Sequence, residues 1–383
     1  MQVSRFRKTL ASSLLALLLA TSAHAARNDC KEVIPCPREE VCCDMPPAGP
    51  FGYNFPCDLG LSCPSDFYFW ADWLLLQVKM EGLEYAVTNT SGVTDVVGNN
   101  GFPLTGGEVL GFSSDQHDWK WGSGFRVGIG FYLAEDSWTI DLEWLYFKKS
   151  QEVSSSITNS GVLVPIWIKP PNSSAIANQS NTLASARWRV SINELDISLG
   201  KPYMVSPYFC FHPYLGLRGA WIDQRYAARY GGLIVLANTN APFNGAQFDA
   251  DHEYWGFGAR AGFASDFNFD GGWGIHSNVA FSMLYSKYSV FEQMPLGVYS
   301  FEFNHRFYTN VPVLDLQLGI SWGTYLNHHR HHFRIQGMYE FQQWWSHNQL
   351  RRFLSADSVS SNEIVARGDL SFNGLSLRFL FDF

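Results

Sequence analysis

Asn373-Gly374-Leu375-Ser376-Leu377-Arg378-Phe379-Leu380-Phe381-Asp382-Phe383 is the stretch from which the fold is read. Leu375, Leu377, Phe379, Phe381 and Phe383 share one parity; Ser376, Arg378 and Asp382 share the other, with Leu380 as the exception. A strand turns alternate residues to opposite faces, so one face of this segment wants an apolar medium and the other wants water. The alternation runs to Phe383, where a soluble strand usually frays. A transmembrane barrel resolves this by pairing its last strand with its first, which leaves no open edge. The five odd-numbered residues are therefore assigned to barrel closure. A terminal strand of a soluble sandwich is the competing reading.

The first residues set the address. Arg5, Arg7 and Lys8 precede the apolar run from Leu14 to Ala20, and Ala23-His24-Ala25 fits small-x-small cleavage, so residues 1–25 read as a secretory signal peptide. No later stretch offers about 18 uninterrupted apolar residues, which excludes a helical membrane protein. Without its first 25 residues the chain carries 24 Lys and Arg against 35 Asp and Glu, a formal charge of −11. That balance argues against a nucleic-acid partner. Frequent aromatic residues and near-neutral mean hydropathy suit strands that alternate between lipid and a wet interior.

Six of the seven cysteines, Cys30, Cys36, Cys42, Cys43, Cys57 and Cys63, lie in residues 26–65 among seven prolines. In a secreted chain this reads as disulfide chemistry on a loose periplasmic leader. The adjacent Cys42-Cys43 pair suits bonds to neighbouring envelope molecules, or to second copies, as well as internal ones. A zinc site is disfavoured, because the segment lacks histidine and paired C-x2-C spacing.

From residue 66 to 383 the sequence reads as ten strands: 66–79, 119–133, 138–149, 186–200, 208–224, 251–267, 273–289, 311–326, 331–345 and 368–383. Segments 80–88, 160–168 and 298–308 are candidates for additional hairpins, so the expectation is an antiparallel transmembrane β-barrel with an even strand number between ten and sixteen. Connections alternate short and long, the pattern of tight periplasmic turns and large external loops, which puts both termini in the periplasm. In 186–200 the apolar residues change parity between Ile192 and Leu195, and a β-bulge near Asn193-Glu194 is expected to re-phase the strand.

Arg126, Arg218 and Arg260 each sit among small neighbours in Gly-Phe-Arg-Val-Gly, Gly-Leu-Arg-Gly-Ala and Gly-Ala-Arg-Ala-Gly. With Arg378 they are candidate pore-lining residues facing the acids Asp141, Glu143, Asp315 and Glu340, a transverse field that would polarise a water-filled bore. Ordinary wall-stabilising ion pairs are the plainer account. The histidines of Asn327-His328-His329-Arg330-His331-His332 read as a solvated turn, because consecutive histidines cannot all face one ion. No strained nucleophile turn of the G-x-S-x-G kind appears, so no enzyme, metal or cofactor is expected.

Phe67-Tyr68-Phe69-Trp70-Ala71-Asp72-Trp73-Leu74-Leu75-Leu76, Gly82-Leu83-Glu84-Tyr85-Ala86-Val87, Trp121 to Gly128, Leu215 to Asp223 and Trp255 to Gly262 together resemble the Legionella-type major outer-membrane protein family, which is also found in chlamydia-like bacteria. The resemblance covers about residues 66–383 and implies a porin-like barrel in the bacterial outer membrane. It implies no catalytic residues. The cysteine-rich leader departs from the simpler family pattern. The expected function is passive diffusion of small hydrophilic solutes, with outer-membrane lipid as surroundings and homo-oligomerisation compatible with the sequence. The alternative is a disulfide-cross-linked structural or adhesive envelope protein that uses the barrel as an anchor.

Overall fold

The computed structural model describes residues 55–56, 61, 67–89, 107–112, 119–133, 138–157, 162–167, 176–236, 242–295, 301–353, 363–365 and 368–383. Ten long strands form the wall. They are β1 (Phe67–Met80), β2 (Trp121–Leu133), β3 (Trp138–Ser156), β4 (Ile176–Gly200), β5 (Phe209–Leu236), β6 (Pro242–Asn268), β7 (Trp273–Met294), β8 (Phe301–Leu326), β9 (His331–Trp344) and β10 (Leu370–Asp382). Each pairs antiparallel with the next in sequence. β10 then pairs with β1, from Leu370 opposite Met80 to Asp382 opposite Tyr68, and closes the ring. The terminal strand thus has partners on both sides along its whole length.

The outer face explains why this ring belongs in a bilayer. Trp73, Phe125, Leu215, Phe257, Phe281, Leu318, Ile320, Leu375 and Phe379 are all exposed on it. A continuous apolar belt of this kind is far larger than a soluble monomer tolerates. Aromatic residues mark its two rims: Trp138, Trp273, Trp322 and Tyr325 near the short turns, and Trp221, Trp255, Tyr285 and Tyr308 toward the long connections. From Trp273 to Tyr285 the strand advances twelve residues. At roughly 3.3 Å per residue and a tilt of about 40° this rises about 30 Å, enough to cross an apolar band of about 25 Å.

The lumen is not uniformly wet. Toward the long connections the inward positions turn apolar: Leu74, Leu76, Phe147, Trp188, Ile192, Ile222, Tyr254, Leu284, Val313, Trp344 and Phe372 are buried in one cluster. Parts of two long connections fold into that mouth. Ala86–Asn89 pairs with Val109–Leu110 and with Val162–Pro165 in a small separate sheet, and Leu83, Tyr85, Phe112, Leu163 and Trp167 join the cluster. The wall holds this plug through its backbone: the Tyr230 hydroxyl donates to the Tyr85 carbonyl (2.5 Å), and Asn348 Nδ2 donates to the Glu81 carbonyl (2.7 Å).

This arrangement corrects three sequence expectations. β4 runs through Asn193 and Glu194 with unbroken register to both neighbours, so there is no bulge there. Leu195, Ile197 and Leu199 face lipid, whereas Trp188, Val190 and Ile192 face the plug, and the apolar side of the strand changes because its surroundings change. Segment 298–308 is no extra hairpin, since β8 runs unbroken from Phe301. Strands β3 to β8 extend beyond their expected ends; in the β8 extension Glu302, Asn304 and Arg306 are exposed while Phe307 packs on the interior cluster, so the lipid-facing pattern is lost there. Within segments 80–88 and 160–168, residues 86–88 and 163–165 pair with each other in the plug sheet and not with the wall.

Two glycines set the turn-side packing. A Cβ at Gly128 would collide with the Trp70 indole and one at Gly130 with the Tyr68 ring, so β2 yields its inward space to two aromatic side chains of β1. Trp70 Nε1 then donates to Glu143 (3.0 Å) and the Tyr68 hydroxyl to Asp141, both on β3 beyond β2.

Candidate functional site

At mid-depth, between the apolar plug and the turn end, the inward positions of most strands carry charges. Arg126 on β2 contacts Asp72 on β1 (2.8 Å), Glu143 on β3 (3.3 Å) and Glu340 on β9 (2.7 Å). Arg378 on β10 grips both oxygens of Asp72 at 2.8 Å and lies 3.5 Å from Glu143. On the other side of the lumen, Arg218 on β5 holds Asp196 on β4 (2.6 Å) and Asp315 on β8 (2.9 Å), and Arg260 on β6 also bonds Asp315. Gln342 on β9 donates to Glu194 on β4 at 3.0 Å, which joins strands five places apart in a ring of ten.

The two clusters therefore bridge the lumen. Side chains of Arg126, Arg218, Arg260, Asp72 and Glu340 are each less than a tenth exposed, while Arg378 and Glu143 keep 13% and 23%, so the layer is mostly shut off from solvent. Planar guanidinium groups suit the task, because each binds a carboxylate through two parallel hydrogen bonds and still has donors for a second acid. A small cavity lies between the layer and the plug, lined by Arg126, Glu143, Arg218 and Glu340 on one side and by Leu76, Phe147 and Phe372 on the other.

All eight residues proposed to line a bore face the interior. Seven of them, Arg126, Glu143, Arg218, Arg260, Asp315, Glu340 and Arg378, belong to the ionic layer; Asp141 sits nearer the turns, bonded to Tyr68. Sequence reasoning missed Asp72, Glu194, Asp196 and Gln342. Asp72 is hidden among same-parity Trp70, Leu74 and Leu76, and the assumed bulge turned attention from Glu194 and Asp196; even parity continued through β4 would have found both. Formally the layer sets Arg126, Arg218, Arg260 and Arg378 against the more numerous acids Asp72, Glu143, Glu194, Asp196, Asp315 and Glu340. Closer to the turns, Asp266 bonds His276 (2.9 Å) and Arg334 (3.3 Å), and His332 bonds Asp382 (3.0 Å). Of the histidine-rich turn, His328 and His329 are exposed with positive φ, while His332 points inward. The six leader cysteines lie outside the described residues.

A closed meander of ten strands, apolar outside, aromatic at both rims and ionic within, defines an outer-membrane β-barrel protein. The chain belongs to the family described as Legionella pneumophila major outer membrane protein precursor, whose profile matches residues 62–383. No curated protein matches the chain. Among solved structures it is similar to the outer membrane protease OmpT from Escherichia coli (13% identity, 84% of this chain and 98% of that one, TM-score 0.39). It is also similar to a Pseudomonas aeruginosa FadL homologue (8%, 83% and 89%, 0.27) and to a TodX deltaS2S3 mutant monoaromatic hydrocarbon channel (8%, 83% and 90%, 0.24). At these TM-scores none of the three carries an argument about what this chain does.

Proposed function

We propose that this protein is a gated outer-membrane pore for small hydrophilic solutes, in which the mid-depth ionic layer is both gate and selectivity element. The supporting observation is chemical. The loop half of the lumen shows that this chain can fill its interior with hydrocarbon, yet at mid-depth it places arginines and carboxylates that link strands three places apart, with the Gln342–Glu194 bond joining the two clusters across the lumen. Such bridges exchange partners without breaking the wall, and each exchange moves a charged side chain out of the path. The formal excess of acids favours cations over anions. The short turns and both termini face the periplasm in this reading. Residues 1–25 are a cleaved signal, and the cysteines of residues 26–65 bind to one another or to neighbouring envelope proteins.

Planar-bilayer recording of the purified protein tests the pore: brief or voltage-dependent ohmic steps with cation-selective reversal potentials are expected. A second reading, a closed barrel serving as a structural anchor, is favoured by the buried plug formed with Tyr85, Phe112 and Trp167. It predicts a folded barrel that stays electrically silent even after the ionic bridges are removed. Labelling of single cysteines placed at Asp270 and at Asn304 on intact cells tests the orientation; only the second is expected to react with an impermeant reagent.

A further inference from the structure

On the outer wall, just past the rim on the loop side, β3, β4 and β5 carry five cations, Lys148, Arg187, Arg189, Arg225 and Arg229, against two acids, Glu152 and Asp223. Arg189 on β4 lies directly opposite Arg225 on β5, and both are exposed. Lys148 on β3, Arg187 on β4 and Arg229 on β5 occupy neighbouring outward positions of the same three strands. Like charges placed directly opposite on adjacent strands repel. Arg225 is met by Asp251 (3.0 Å) and Arg187 by Glu152. Among the described residues Lys148, Arg189 and Arg229 have no ion-pair partner. Each of those three faces a serine across the ladder, Ser191, Ser150 and Ser185 respectively. Short hydroxyl-bearing neighbours leave the cationic heads uncovered.

Below this patch the aromatic rim has a notch. One ladder rung carries Tyr146 on β3 and Trp221 on β5, but Asn193 on β4 between them. Under Asn193 the β4 wall continues as Leu195, Ile197 and Leu199. A shallow channel therefore descends from an arginine pair, between two aromatic side chains, onto aliphatic wall.

We infer that this face binds the phosphate groups of a phosphorylated glycolipid of the outer leaflet, the lipid A portion of lipopolysaccharide, with Arg189 and Arg225 clamping one phosphate and acyl chains lying along Leu195 to Leu199. A bound phosphate turns the Arg189–Arg225 repulsion into two charge-assisted contacts, and guanidinium groups bind phosphate bidentately. Cations at the headgroup level next to an apolar wall are the usual electrostatic signature of anionic lipid recognition. In the cell the site depends on the orientation proposed above, which sets the patch in the outer leaflet. Binding by the purified protein does not depend on it, so the two ideas fail separately.

The test is retention of bis-phosphorylated lipid A by the full-length protein folded in detergent, followed by native mass spectrometry after gel filtration. One lipid per barrel is expected. Retention should fall at least ~10-fold for lipid A stripped of its phosphates and for the double variant Arg189→Gln/Arg225→Gln, a tenfold loss being the effect of about one strong contact. It should be kept by Arg306→Gln, which changes an exposed arginine on the outer face of β8. Arg189→Gln alone disturbs no ion pair and should weaken retention while the heat-modifiable shift of the folded barrel in electrophoresis is kept. Equal retention of the dephosphorylated lipid, or by a folded Arg189→Gln/Arg225→Gln barrel, overturns the site. So does displacement of the lipid by millimolar inorganic phosphate, which would mean a general anion patch only.

Discussion

Arg126 on β2 donates to both carboxylate oxygens of Glu340 on β9, at 2.9 and 2.7 Å, reaching across β1 and β10 to do so. The same guanidinium also bonds Asp72, so one side chain couples three strands of the wall through the interior. This fork is the bond whose removal most directly distinguishes a gate from a strut.

Glu340→Gln keeps the shape of the side chain and removes its charge. The open fraction in bilayer recordings is expected to rise at least ~10-fold, which needs only about 1.4 kcal/mol of differential stabilisation, well below the ~3–5 kcal/mol that loss of one partner in a buried ion pair can cost. Arg126→Gln should act in the same direction and shift selectivity further toward cations. Two folded but silent variants would leave the anchor reading.

Gly128→Val forces a branched side chain into the space of the Trp70 indole. Overpacking of this kind costs about 1–3 kcal/mol, so a lower urea midpoint for unfolding in lipid vesicles is expected. Trp70→Ala reopens the space, and the double variant should recover part of the loss. Additive losses would show that the glycine serves another purpose.

Trp344→Ala empties a fully buried site in the loop-end core and should cost about 3–5 kcal/mol. Trp344→Phe should cost much less, because the indole N–H finds no acceptor among the described residues and its removal relieves a buried unsatisfied donor. Urea unfolding monitored by intrinsic fluorescence separates the two.

His347 lies beyond β9 on the loop side, fully buried, with its Nδ1 3.1 Å from the Tyr288 hydroxyl. Burial holds its imidazole well below the ordinary histidine pKa, and the neighbouring His252 adds to the effect. The folded state favours the neutral ring. Below about pH 6.5 the unfolded chain therefore binds more protons, and stability conferred at neutral pH is lost as the solution acidifies. The urea midpoint is expected to fall between pH 7.5 and pH 5, and His347→Phe should flatten that part of the profile. An unchanged slope in the variant would assign the acid sensitivity elsewhere.

Much of this was legible in the sequence for one reason: wherever a strand has lipid on one side and charge on the other, parity alone reveals it. β2, β3 and β10 are such strands, and they disclosed Arg126, Glu143 and Arg378 directly. Parity misleads where the interior stops being polar. On β4 the same even positions hold Asp196 and Glu194 at mid-depth and Ile192, Val190 and Trp188 above, which in sequence imitates a slipped register. The plug was illegible for another reason. Leu83 and Tyr85 bury themselves against Tyr226 and Tyr230, more than a hundred positions away, and Trp167 stacks on Phe248, itself far along the chain; no local pattern encodes such distances.

The reversal of polarity above the rim means that the wall continues as a water-soluble type of barrel fused end to end onto a membrane type. Its outside is hydrated and its inside is a packed hydrocarbon core, so the described portion projecting past the lipid is a firm turret instead of a fringe of loose chains. In the orientation proposed above, an antibody or phage landing there would meet fixed relief, with little ordering left to do on contact.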